Sequence, residues 1–396
     1  MTQQPQRGEQ TQMPGNGSGP EPRRPRFDRK GLRWVAGASG VALAIGIASI
    51  GFELGAVNAA AATAVGGEHQ QSSATTATAK PADFQDISLA AQQAAPGLVD
   101  INADLGLQGA GSAGTGIVLT SDGKVLTNNH VVEGATDLSV TDIGTGQTYR
   151  ATVLGYDRSE DVALLQLSGA SDLPTAKIGN SGSVAVGDRV AGIGNAGGVG
   201  GAPSVSPGRV TALNQDITAS DDAAGSAEQL HGLVQVAANI RPGDSGGALI
   251  DTAGEVIGMD TAASTGYRFQ GLGSGGGVGF AIPIQQALSI AHDIETGQAS
   301  GTVHIGPTAL LGAAVSDGQG AGAVVRQVVA GTPAEQLGLA PGDVITTVNG
   351  RGIDSPTALT AAMDTSHPGD PVTVQWTDAY GQTRQGRASL IAGPVG

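Results

Sequence analysis

The sequence predicts a mostly β chain: a large all-β barrel or sandwich unit, then a small α+β module, with one apolar helix ahead of both. Three observations carry this. From about residue 85 to 290, short β-type runs such as "GTGIVLT", "TDLSVTD", "DVALLQLSG" and "GDRVAGIGN" alternate with Gly- and Asp-bearing turns, the spacing of a multi-stranded β domain. The chain holds 65 glycines and only 3% aromatics, so its cores must be built from Val, Ile, Leu and Ala, with much of the glycine in turns. After about residue 307 the pattern changes, and helix starts appear between strands.

Taken in order, residues 1–33 are rich in Gln, Pro, Gly and Arg without hydrophobic period and are expected to be a disordered, cytoplasmic N-terminus. Trp34 to Phe52 is a run of 19 residues without a charge. As a helix it would span roughly 28 Å, about one hydrocarbon core. Basic residues precede it and Glu53 follows, so residues 34–57 are expected to be a transmembrane signal-anchor with everything after it exported. A cleaved signal peptide is the competing reading, since small residues follow at Val57–Ala64; a buried core helix fits the basic flank poorly. Residues 58–81 are Ala, Thr, Ser, Gly and Gln, a flexible tether. The β unit is expected over 82–295. It closes on "IPIQQALSIAHDIETGQ", a helix with Ile284, Ala287, Leu288 and Ala291 on one face and Gly297 as its stop. A Gly/Ser/Thr stretch at 296–307 is expected to link it to a second unit at 308–394. There, Thr332, Pro333 and Glu335 predict a helix start with a capping box, and Ser355–Pro356 predicts another. Strands "DVITTVNG" and "PVTVQWTD" flank the second helix.

Composition excludes several functions. The net charge is −15, and with seven Lys/Arg and three acids in the first 33 residues, the rest holds 13 basic and 32 acidic residues. Such a body argues against nucleic acid as a partner. Cysteine is absent, which rules out disulfides, thiolate zinc sites and a Cys nucleophile.

The chemistry concentrates in three motifs. "RPGDSGGAL", residues 241–249, places Ser245 on a glycine-bearing turn. Amide hydrolysis by serine needs an exposed hydroxyl together with N–H groups aimed at a developing oxyanion, here those of Gly243 and Ser245. "GTGIVLTSDGKVLTNNHVV" sets His130 just past a strand, where it would act as general base and then general acid; none of the other five histidines has such a setting. "DRSEDVALLQL" puts Asp161 before an apolar strand, placed to accept a hydrogen bond from His130 and fix its tautomer; Asp157 is the nearest rival. The order His, Asp, Ser, separated by 31 and 84 residues, belongs to the chymotrypsin-like double barrel.

With "TNNHVV", "DVALLQL", "GDRVAGIGN", "VQVAANIRPGDSGGAL" and "GGGVGFAIP", residues 85–290 resemble the HtrA (Deg) family of trypsin-like serine proteases. Residues 309–393 resemble the PDZ domain that follows the protease there. The resemblance implies degradation of misfolded or damaged exported proteins, trimers or larger assemblies, no cofactor, no metal, and a PDZ domain that binds peptide C-termini and regulates the protease. Carried over by motif, the carboxylate-binding loop is Leu310, Leu311, Gly312 and Ala313. The sequence departs from the family in Asp244, where Asn is frequent, and in Ala196, where "GNP" is usual. The Gly/Ser-rich stretch Thr261–Gly277 resembles the family's mobile specificity and activation loop; its "GLGSGGG" lacks a following Lys and is no phosphate cradle. In this fold the residue six before the nucleophile lies at the base of the primary pocket. It is Asn239, which argues for small or medium aliphatic residues before the scissile bond and against Lys or Arg. Two other functions fit the same motifs: a PDZ-dependent chaperone or stress sensor with a latent protease domain, and a processing protease with one dedicated substrate.

Overall fold

The computed structural model describes residues 85–107, 109–221, 226–261, 267–269 and 277–396. The expected N-terminal segment, anchor and tether therefore lie outside the described residues. Among the described residues no helix is long and apolar enough to cross a membrane.

Helix α1 (Gln85–Ala94) opens the described chain and buries Ile87, Ala90 and Ala91. A first sheet follows: β1 (Leu98–Leu105), β2 (Ala110–Val118), β3 (Lys124–Thr127), the one-turn α2 (Asn129–Val132), β4 (Asp137–Asp142), β5 (Thr148–Asp157) and β6 (Val162–Leu167). Its strands run β5-β4-β1-β2-β3-β6, and the β5–β6 pairing closes them into a six-stranded barrel. The second sheet holds β7 (Arg189–Gly194), β8 (Ser204–Asp221), β9 (Ser226–Val236), β10 (Ala248–Ile250), β11 (Val256–Asp260), β12 (Tyr267–Phe269) and β13 (Gly279–Pro283). It runs β8-β7-β10-β11-β13-β9, closed by β8–β9, with β12 added on β8.

Period-two alternation decides which residues fill each barrel. Val99, Ile101, Val118, Val125, Val140 and Leu165 form the interior of the first. Val190, Val210, Val236, Leu249 and Ala281 form the interior of the second. The alternate residues, Leu98, Ile117, Leu126, Ile193 and Met259 among them, make a third cluster with α1 and α3 (Ile284–Glu295). In α3 the buried stripe is Ile284, Ala287, Ile290, Ala291 and Ile294, with Leu288 at its margin, and Gly297 follows in the left-handed region.

The stretch expected as a linker is partly structured. It contains β14 (Val303–Ile305), which pairs antiparallel with β5 and extends the first sheet. Beyond it come β15 (Ala309–Leu310), β16 (Ala313–Asp317), β17 (Ala323–Val328), α4 (Pro333–Leu337), β18 (Val344–Val348), β19 (Arg351–Gly352), α5 (Pro356–Met363), β20 (Pro371–Thr377), β21 (Thr383–Ser389) and β22 (Ile391–Ala392). The main sheet runs β16-β17-β18-β20-β21, around a core of Val325, Ile345, Leu359, Val374 and Trp376. Ser355 caps α5 by accepting from the Ala358 amide at 3.2 Å. The expected capping box at α4 does not form. The Thr332 hydroxyl donates to the Val329 carbonyl at 2.6 Å, and Glu335 takes the Gly331 amide, because Thr332 is packed against Gly312 and its hydroxyl is drawn back into the preceding turn.

This module is joined to the first barrel by polar contacts. Arg158 pairs with Glu133 and with Asp364, at 3.3 Å, which also accepts from the Tyr156 hydroxyl at 2.9 Å. His304 stacks between Tyr156 and His367, with centroids 5.0 Å apart on each side. The tail adds backbone bonds, Gly134 N–H to the Val395 carbonyl and Val395 N–H to the Ala135 carbonyl.

Candidate active site

His130 sits in α2, which starts two residues after β3 ends. Asp161 occupies the turn between β5 and β6 with φ of +53°, a left-handed conformation that Asp tolerates better than most residues. The turn closes through the Asp161 amide on the Arg158 carbonyl at 3.2 Å. Asp157 is spent inside the same turn, accepting from the Ser159 hydroxyl and the Glu160 amide. That leaves Asp161 to face His130. Its oxygens lie 3.0 and 2.9 Å from Nδ1, Oδ1 also accepts the His130 amide at 3.1 Å, and Oδ2 accepts the Thr261 hydroxyl at 3.1 Å. The Asn128 side-chain amide donates to the Asp161 carbonyl at 3.0 Å. Asp161 is 1% exposed, and these donors replace the water it gave up. A carboxylate on Nδ1 selects the Nδ1–H tautomer and makes Nε2 the basic nitrogen.

Ser245 comes from the second barrel and is held against the first. Its carbonyl accepts the Thr115 amide of β2 at 2.8 Å. A Cβ on the next residue, Gly246, would fall 2.1 Å from the Thr115 carbonyl and 2.3 Å from Thr127 Oγ1, so the two barrels touch here and only glycine fits. Thr127 ends the strand that leads into His130.

Ahead of the serine, Arg241–Pro242–Gly243–Asp244 forms a turn closed by the Asp244 amide on the Arg241 carbonyl at 2.9 Å. Proline second and glycine third, with Gly243 at φ of +96°, are the marks of a type II turn. The Pro242 carbonyl accepts the Gly197 amide at 2.7 Å. In a trans peptide the N–H of Gly243 points the opposite way, away from Gly197. Thr115 ties the parts together: its hydroxyl donates to the Gly243 carbonyl at 2.8 Å and accepts the Asn195 amide at 2.8 Å.

Asn239, expected at a pocket base, is exposed, and its carbonyl accepts the Ser206 hydroxyl at 2.8 Å. Two acids are buried at this end of the barrel, Asp244 and Asp260; a charged residue ending the apolar strand "VIGMD" is the sequence signal for the second. Most of the Thr261–Gly277 stretch lies outside the described residues. In the C-terminal module, Leu310 pairs with Ile391, and Leu311 is buried with its carbonyl on the Ala334 amide. Gly312 has φ of +88°, and Ala313 opens β16, the edge strand of the sheet. Helix α5 lies against β16 and β17. A cavity of about 650 Å³ between the first barrel and the tail, lined by Leu138, Val153, Leu310 and Val395 among others, includes none of His130, Asp161 and Ser245.

Two closed six-stranded barrels with a His–Asp contact and a serine turn at their junction define a trypsin-like serine protease fold. Residues 114–259 match the family model of the trypsin-like peptidase domain, and residues 309–377 match that of the PDZ domain. The serine protease PepD of Mycobacterium tuberculosis is 33% identical over 377 residues, 91% of this chain and 78% of that protein. The periplasmic serine endoprotease DegP of Escherichia coli is 35% identical over 269 residues, 66% of this chain and 53% of DegP. Among solved structures, the HtrA-type protease AlgW with a tripeptide covers 78% of this chain and 97% of its own, at 29% identity and a TM-score of 0.44. The chain belongs to the HtrA/DegP family of serine proteases, with one PDZ domain.

Proposed function

We propose that the chain is a membrane-anchored, extracytoplasmic endopeptidase that degrades misfolded or damaged exported proteins, with Ser245, His130 and Asp161 as its catalytic triad. Ser245 Oγ attacks the scissile carbonyl while His130 Nε2 takes its proton; the same imidazolium then protonates the leaving amine. Asp161 orients the ring and stabilises its charged form. The amides of Gly243 and Ser245 hold the oxyanion. Water then repeats the sequence on the acyl-enzyme. The observation that carries the reading is the Asp161 carboxylate, buried and held by the His130 ring and amide and the Thr261 hydroxyl.

Residues 34–57 would supply the anchor, consistent with the periplasmic location in the name of DegP. The open edge of β16 would take the C-terminus of a peptide as an added strand, with its carboxylate at Leu310–Ala313, and PDZ occupancy would bias the protease toward its active state. A trimer or larger assembly and aliphatic preference before the scissile bond complete the proposal. The test is cleavage of an unfolded model protein by the purified chain, wild type beside Ser245→Ala, with and without C-terminal peptides. Cleavage by the wild type alone is expected. Cleavage by neither form, even with peptides, would contradict the proposal and favour a chaperone or sensor with a latent protease domain.

A further inference from the structure

Beneath the nucleophile turn lie two carboxyls that the triad does not use. Gly192 and Gly194 of β7 are two residues apart and share one face of the strand. Gly192 pairs with Leu249, and Asp260 pairs with Ala281; Leu249 and Ala281 both line the interior of the second barrel, so Asp260 points inward as well. A Cβ on Gly192 would stand 2.8 Å from Asp260 Oδ2, and one on Gly194 would stand 2.9 Å from Asp244 Oδ1. Two glycines side by side thus leave the space that two neighbouring carboxyls fill. Asp260 is 0% exposed and Asp244 2%.

Their supply of donors is unequal. Asp244 accepts the Ser204 hydroxyl at 2.7 Å and the Arg241 amide at 2.9 Å, and it is further favoured by the Ala196 backbone and the Arg241 guanidinium. Neither oxygen of Asp260 has a well-formed hydrogen bond; the Ile193 backbone is the stabilising group beside it, and Asp244 opposes its ionisation. Among the described residues, the strands around Asp260 offer it no cation, and the one guanidinium nearby, that of Arg241, favours Asp244. On β7 it meets Gly192, on β13 it pairs with Ala281, and Leu249 of β10 lines the same interior. From the turn come Arg241 and Asp244, and beyond Thr261 lie Asp161 and His130, which are engaged with each other. Burial pushes Asp260 well above the ordinary carboxylate range, and the charge on Asp244 pushes it further. Burial raises Asp244 as well, opposed by Ser204 and Arg241. Like charges on two neighbouring buried carboxyls disfavour their joint ionisation.

We propose that Asp244 and Asp260 form a carboxyl pair that holds one proton and one negative charge, and that this pair positions the Arg241–Ser245 turn, so that loss of the proton at alkaline pH releases the turn and lowers turnover. The proposal rests on the serine-protease reading of that turn. In the singly protonated pair Asp260 is the neutral member, and charged Asp244 grips the Arg241 amide inside the turn that its own backbone closes. Ionising Asp260 sets two charges against each other, and Asp244 can relieve the repulsion only by leaving Arg241 and Ser204. The Gly243 amide then loses its aim. Both aspartates are positioning residues, since neither touches the substrate.

Two measurements test this. The first is kcat/KM against pH on a short peptide, for the wild type and Asp260→Asn. The wild type should rise as His130 loses its proton and fall again at alkaline pH, about tenfold per pH unit past the midpoint. Asp260→Asn should keep the rise and lose the fall. An alkaline fall that survives the substitution would overturn the proposal. The second measurement is the infrared band of a protonated carboxyl at neutral pH in the wild-type chain and in Ser245→Ala. It should be present in both and bleach with the same alkaline midpoint. Its absence at neutral pH would overturn the proposal whether or not Asp260→Asn folds. Because the band does not depend on cleavage, an inactive protein that shows it would count against the protease reading and not against the pair.

Discussion

Asp161 and Asp260 are equally hidden from water, and the chain brings them almost side by side: Thr261, which donates to Asp161, is the residue next to Asp260. Yet one belongs to a site built for a charge and the other to a site built for a proton. Asp161 is surrounded by the His130 ring, the His130 amide and the Thr261 hydroxyl, while Asp260 has glycines, Leu249 and Ala281 around it and a second carboxyl as neighbour. Burial alone does not determine the state of a carboxyl; the count of donors does. On the proposed reading, the first barrel sets the Asp161 carboxylate against the imidazole, and the second sets a carboxyl pair holding one proton beneath the Arg241–Ser245 turn.

The comparison breaks most visibly at Asp161. Asp161→Asn keeps the shape but presents an amide to Nδ1 and favours the wrong tautomer. It should lower kcat by roughly 10⁴-fold with little change in fold. A loss under tenfold in steady-state peptide hydrolysis would mean that the charge at this site does not matter, and the contrast with Asp260 would collapse.

A smaller effect sharpens the other half. Asp260 binds its proton more tightly when folded than when unfolded, where its pKa is about 3.9. The folded state therefore retains a proton that the unfolded state releases, and stability falls as pH rises from about 4 toward the raised folded value. Asp260→Asn removes that dependence. Its melting temperature relative to the wild type should climb between pH 5 and pH 8, by about 2–4 °C for each kcal/mol of linkage. Calorimetry showing a pH-independent difference would mean that Asp260 is ionised in the folded protein.

The sequence made the triad motifs legible because amide hydrolysis constrains residue type and local turn chemistry together. "RPGDSGG" encodes a type II turn in its own Pro–Gly pair, and the apolar strand after Asp161 marks a buried carboxylate. The barrel strands were legible as short β-type runs closely spaced between Gly- and Asp-bearing turns. Other features were not. Helix α1 carries "QDISLAAQQA", whose small apolar residues become informative only once Ile87, Ala90 and Ala91 find the barrels to pack on. Strand β14 is three residues among Gly, Ser and Thr, and exists because β5 offers an edge. The capping box at Thr332 was locally reasonable, but its hydroxyl turns back to donate to the Val329 carbonyl and does not accept from the helix. The character of Asp260 is not legible in sequence because it depends on the packing of Gly192, Leu249 and Ala281 around it.

The central claim, that peptide hydrolysis runs through Ser245, is tested most directly by covalent trapping. The full chain would be incubated with a fluorophosphonate that reacts only with a serine hydroxyl activated by a neighbouring base, and the adduct located by mass spectrometry after digestion. One equivalent on Ser245, absent in Ser245→Ala and strongly slowed in Asp161→Asn, is the predicted result. Labelling of another serine, or no adduct on a protein folded by circular dichroism, would contradict it.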